Sequence, residues 1–186
     1  MSAQRIHQIQ VNFSPEEDRL QLRINTQGKT EFRFWLTRRF VKRLWPGLHQ
    51  AMEGQSRLET DTPLDPVARA AILSFMHEQA ISETDFSTQF QDTPSEMPLG
   101  PLPVLVTRAR IEPMEQGGYR VCLHPQERYG IEVAMDANLM HSFCKLLTDA
   151  VDKADWDFSL PFSSVKSMTT DMGGPYIPTD GTHTIN

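Results

Sequence analysis

Before residue 37 the chain alternates apolar and polar side chains three times. Ile9, Val11 and Phe13 interleave with Gln8, Gln10 and Asn12; Leu20, Leu22 and Ile24 form a second set, and Phe32, Phe34 and Leu36 a third. A period of two places successive side chains on opposite faces, so each run predicts a strand with one face buried. The stretch Ser14 to Arg19, with Pro15, Glu16, Glu17 and Asp18, and the trio Gln27, Gly28 and Lys29 are turn chemistry, which makes the three strands antiparallel. At Thr37 the period changes. Its hydroxyl is placed to cap a helix whose single stripe holds Phe40, Val41, Leu44, Trp45 and Leu48. Pro46 lies inside that stripe and lacks a backbone donor, so a kink or a restarted turn is predicted through Gly47 to Met52.

The same pattern recurs. Setting Thr37 on Asp136 brings Leu20, Leu22 and Ile24 onto Tyr119, Val121 and Leu123, and Phe32, Phe34 and Leu36 onto Ile131, Val133 and Met135. Phe40, Leu44 and Leu48 fall on Leu139, Phe143 and Leu147. Ala109 and Ile111 supply the first strand of the second copy if its turn, through Gly117 and Gly118, is one residue shorter. The polar positions do not correspond, so what repeats is a buried pattern. The expected fold is α+β: a duplicated unit of three antiparallel strands followed by a helix, each helix across one face of its own sheet, packed with pseudo-two-fold symmetry into one compact domain. The units are residues 1–52 and 104–162, separated by an insert at 53–103 and followed by a polar tail at 163–186.

Within the insert, Asp65 as cap and Pro66 at the first helical position introduce a helix. Its apolar face, Val67, Ala71 and Phe75 with Ile72 and Met76, is predicted to pack on the body. Pro94, Pro98, Pro101 and Pro103 make the run into the second unit an extended linker. The stretch Trp156 to Phe162 predicts a short strand or a latch.

Composition narrows the function classes. At 186 residues with 39% hydrophobic content, the chain can build a sizeable core. Cys122 and Cys144 are too few for a disulfide framework, and the opening MSAQRIHQIQV lacks the apolar core of a signal peptide. No apolar run is long enough for a membrane span, so the expectation is a cytoplasmic protein with no membrane partner. A formal net charge of −6 argues against coating nucleic acid by bulk electrostatics.

Candidate chemistry is sparse. Cys122, His124, His141 and Cys144 are a zinc inventory, but the strand and helix periods send the two pairs to different faces, and no metal or other cofactor is predicted. No nucleophile elbow and no phosphate loop occurs, and Asp155 and Asp157 beside Trp156 read as solvated acids, so an enzyme ranks third. Arg38, Arg39, Lys42 and Arg43 read as the solvated face of the first helix. The one segregated surface is the sheet face turned away from the helices: Gln8, Gln10, Gln21, Arg23, Arg33 and Trp35 from the first copy, Arg108, Arg110, Arg120 and His124 from the second. Glu31, Glu112 and Glu132 lie near it. Two copies of sheet-then-helix are similar in outline to the Whirly and PUR groups of single-strand nucleic-acid binders, whose repeats have four strands where three are counted here. The leading expectation is a non-catalytic binding or adaptor protein with a protein partner or self-association. The alternative is a single-stranded nucleic-acid binder using Arg23, Arg33, Trp35, Arg108, Arg110 and Arg120, charge for phosphates and a ring for bases.

Overall fold

The computed structural model describes residues 6–58, 65–91, 96–126 and 129–161. Phe162, Pro94 and the tail 163–186, on which some of the expectations above fall, lie outside these residues. Strands β1 (Ile6–Ser14), β2 (Arg19–Thr26) and β3 (Glu31–Thr37) lead into α1 (Arg38–Leu58). A second helix, α2 (Pro66–Glu83), precedes β4 (Val104–Pro113), β5 (Tyr119–Pro125), β6 (Ile131–Met135) and α3 (Ala137–Ala154).

The expected caps are in place. Thr37 Oγ1 accepts from the Phe40 N–H at 3.2 Å, Asp136 Oδ1 from Leu139 at 2.8 Å, and Asp65 Oδ1 from Val67 and Ala68 at 2.9 Å each. The restarted turn at Pro46 is not found: α1 is one continuous helix of 21 residues through Gly47 to Met52. Pro46 is exposed, as is Lys42 one turn earlier, so water can reach the Lys42 carbonyl that the proline leaves without an intrahelical donor.

The six strands form one mixed sheet in sequential order. β1, β2 and β3 pair antiparallel, as do β4, β5 and β6. The halves join through a short parallel contact, Phe34 beside Val104 and Trp35 beside Leu105. Beyond it β4 carries a bulge between Val106 and Arg108, and β1 carries one between Ile6 and Gln8. Irregularity of this kind bends a strand and ends pairing.

The core lies against one face of the sheet. Leu20, Leu22, Ile24, Phe34, Leu36, Val121, Leu123, Val133 and Met135 meet Val41, Leu44, Leu48 and Met52 of α1 and Met140, Phe143, Leu147 and Val151 of α3. Each large side chain removed from water in this way contributes roughly 1.5–3 kcal/mol. The helices do not stay on their own strands. α1 lies against β4 as well as β3, and α3 lies against β1 as well as β6. Gly54 of α1 approaches so closely that a Cβ there would collide with the Tyr119 hydroxyl at the start of β5. Because α3 touches strands at opposite ends of the order, the sheet wraps its helices.

α2 rests on α3 with the expected face only partly covered, Ile72 and Met76 being half-buried. Val67, Ala71 and Phe75 are exposed, and Leu73, His77 and Ala80 are the buried residues of this helix. Nor does a strand follow α3 among the described residues. Trp156 is a latch instead: its indole Nε1–H donates to Asp18 Oδ1 at 2.8 Å, and its ring packs edge-on to Phe13 and stacks on Phe158. Among the described residues no helix is long and apolar enough to cross a membrane.

Candidate functional site

The sheet face opposite the core divides into two halves of different character. In the first, Arg23 and Arg33 stand directly across from each other on β2 and β3. Two cations so placed would repel, and Glu31 lies between them. One of its oxygens, Oε1, accepts from Arg23 Nε at 2.8 Å and from Arg33 Nε at 2.6 Å. Although on the outer face, Glu31 is only 1% exposed, because the chain at Glu96 runs alongside: the Glu31 N–H donates to the Glu96 carbonyl at 2.9 Å. Burial alone would raise its carboxyl. The hydrogen bonds and charges of Arg33 and Arg23 outweigh that and hold it below the usual carboxylate range.

The chain between α2 and β4 covers the rest of this half. Arg33 donates a further bond to the Pro101 carbonyl at 3.2 Å, and the Arg23 guanidinium lies 4.3 Å from the centroid of the Phe90 ring. The linker is not simply extended, since Gly100 closes a turn onto the Met97 carbonyl before the chain enters β4. Gln21 and Leu105 flank Trp35 in register at the seam between the halves, and its ring is half-buried.

The second half is open. Arg108, Arg110 and Arg120 are exposed, and His124 sits across from Arg108. Cations and anions alternate over three strands. Arg110 Nε lies 3.1 Å from Glu112 on its own strand, Glu112 stands across from Arg120, and Arg120 Nε lies 4.0 Å from Glu132 on β6. Exposed pairs of this kind are worth under about 1 kcal/mol each and re-form easily with a partner. The six candidate residues are therefore not one site: Arg23 and Arg33 are bound internally, Trp35 marks the seam, and Arg108, Arg110 and Arg120 form an open mosaic with acids.

Neither cysteine is placed for catalysis. Cys144 belongs to the core, where burial pushes its thiol far above the ordinary range, and Cys122 is buried outside that core, with Arg110 and Glu132 on either side of it in register. Among the described residues no three His, Cys, Asp or Glu side chains gather as metal ligands. Two features escaped the sequence reading. One is the role of Glu31, for which the available signal was its place two residues before Arg33, on the same face of one strand. The other is a buried histidine pair, His77 on α2 and His141 on α3, with Nδ1 atoms 3.1 Å apart. Spacing offered a partial signal for it, since His77 follows Leu73 by one helical turn.

Comparison with protein-family models, with curated proteins and with solved structures finds no match for this chain.

Proposed function

We propose that this chain is a non-catalytic binding or adaptor protein that meets a protein partner, or a second copy of itself, through the open face of β4, β5 and β6. The carrying observation is the alternation of Arg110, Glu112, Arg120 and Glu132 across three strands. A surface with both signs interspersed suits another protein, whose charges can be complementary point by point. A polyanion gains less there, because a phosphate that meets Arg110 or Arg120 also meets a carboxylate. The matched helix caps Thr37 and Asp136 support reading the halves as copies of one unit related by pseudo-two-fold symmetry. Two buried, unpaired thiols suit a reducing, cytoplasmic setting.

A second reading, single-stranded nucleic-acid binding, draws on the exposure of Arg108, Arg110 and Arg120 with Trp35 at the seam. Fluorescence anisotropy of a labelled mixed-sequence single strand, titrated at low and moderate salt, separates the two. Absence of binding at low salt supports the adaptor reading. Salt-sensitive binding that Trp35→Ala or an Arg108→Glu, Arg110→Glu pair weakens would replace it with the nucleic-acid one. For the adaptor, the same charge-reversed pair is expected to abolish capture of the partner that the wild-type chain retains.

A further inference from the structure

We infer that the outer face of β1 and β2 is a reading site for an extended peptide carrying an aromatic residue, and that Gln89, Phe90 and Gln91 occupy it in cis. The inference rests on the adaptor reading and names the chemistry of a partner. Four outer-face side chains sit in two adjacent cross-strand pairs, Gln8 with Asn25 and Gln10 with Arg23. The Gln8 carboxamide donates to the Gln89 carbonyl at 3.2 Å and accepts from the Gln91 N–H at 3.0 Å. Those two backbone groups flank Phe90, so Gln8 grips the segment at the two points a neighbouring β-strand residue would use. Asn25 Nδ2 donates to the Gln91 carbonyl at 2.9 Å. The aromatic ring is held by Arg23, whose guanidinium is fixed in place by Glu31 Oε1 at 2.8 Å and Gln10 Oε1 at 3.3 Å.

Each contact from Gln8 and Asn25 goes to main-chain atoms, so sequence is demanded only at the ring. This favours a polypeptide over a nucleic acid. The bound segment offers Gln8 an N–H donor and a C=O acceptor two residues apart, a pattern that a peptide backbone repeats and a sugar–phosphate backbone, which has no N–H, does not. The Arg23 guanidinium already has an anionic partner in Glu31, which it shares with Arg33. The grip is also exchangeable. Gln89 and Gln91 remain exposed and Phe90 is half-buried, so occupancy leans on the tether, which supplies an effective concentration on the order of millimolar. Asp85 shapes that tether: Oδ1 accepts from the Ser87 N–H at 2.8 Å and the Ser87 hydroxyl at 2.6 Å, and Oδ2 from the Thr88 hydroxyl.

The test is nuclear magnetic resonance of the full chain. The probe is a capped synthetic peptide with the sequence of residues 85–91, observed at the Gln8 and Asn25 side-chain amides and at Arg23 Nε–H. Phe90→Ala empties the ring site, and this variant is expected to bind the peptide at least about ten-fold more tightly than wild type, whose own segment competes. Unchanged Trp156 indole and core methyl signals establish that the variant is folded. A peptide with Ala in place of Phe90, or a Gln8→Ala, Asn25→Ala pair added to the variant, is expected to abolish the response. Equal responses of wild type and variant, or none from the folded variant at millimolar peptide, overturn the inference. So does a single-stranded oligonucleotide that shifts these signals more strongly than the peptide. Loss of this site leaves the adaptor reading standing if reversal of Arg108 and Arg110 still abolishes partner capture.

Discussion

His77 and His141 meet Nδ1 to Nδ1 at 3.1 Å between α2 and α3, with both rings buried. A bond at this distance needs one nitrogen to donate and the other to accept, so at neutral pH one ring of the pair carries its proton on Nδ1. The insert helix is thus fastened to the second half by a bond that constrains the tautomers of both rings.

Acid should undo that fastening. Burial, then the neighbouring His77, holds His141 down to about 4, and burial with the Lys145 charge lowers His77, partly offset by Asp149. Both groups charge less readily folded than unfolded. Their contribution is therefore complete above the unfolded value near 6.5 and is lost as pH falls through the folded one. The unfolding free energy from urea titrations is expected to fall from pH 6.5 toward 4 with a slope of up to about 1.4 kcal/mol per pH unit from His141, and the urea midpoint with it. His141→Gln should flatten that slope. A midpoint independent of pH in this range would refute the assignment.

A second acid limb should appear lower. The Glu31 carboxyl is depressed in the folded chain, so its contribution is present above the unfolded value near 4.5 and lost as pH falls through the folded value. At neutral pH, Glu31→Gln removes the charge between Arg23 and Arg33, which face each other across the strands. Breaking a buried pair from one side costs about 3–5 kcal/mol. Denaturation curves measure the loss, and the same variant should bind anions more strongly than wild type.

At the Trp156 latch, two effects can be separated. Trp156→Phe keeps a ring against Phe13 but loses the donor to Asp18, with an expected cost of about 1–2 kcal/mol. Trp156→Ala empties the site as well and should cost about 3–5 kcal/mol. Equal losses would mean that the hydrogen bond, rather than the packing, holds the latch.

The β4–β5 hairpin offers a matched comparison. Gly117 and Gly118 both have positive φ, 86° and 76°. A Cβ on Gly117 would meet nothing within 4 Å, whereas one on Gly118 would stand 2.5 Å from the Met135 carbonyl oxygen. Gly117→Ala should cost about 1 kcal/mol of backbone strain, and Gly118→Ala clearly more. Thermal melts of the two variants would rank them.

What was legible in the sequence was local chemistry. Ile9, Val11 and Phe13 announced a strand through alternation, and Thr37, Asp65 and Asp136 announced helix starts because a cap depends only on its own next few residues. What failed depended on neighbours far along the chain. Val67, Ala71 and Phe75 made an apolar stripe, yet α3 offers His141 to α2, and a histidine that finds a hydrogen-bond partner is buried in preference to that stripe. Glu31 occupied an outward position by period and was buried because Glu96 runs beside it. The seam of Phe34 and Trp35 with Val104 and Leu105 left no trace in the pattern, since a parallel contact needs no turn.

The exchange of helices between halves bears on synthesis. The ribosome delivers β1 early and α3 late, and at about 5–20 residues per second the interval is on the order of ten seconds. During it, Val11 and Phe13 have no α3 to cover them, and Trp156 has not yet reached Asp18. The nascent first half carries a greasy strip that α3, made more than a hundred residues later, comes to cover, so cellular yield should depend on chaperones that shield emerging chains.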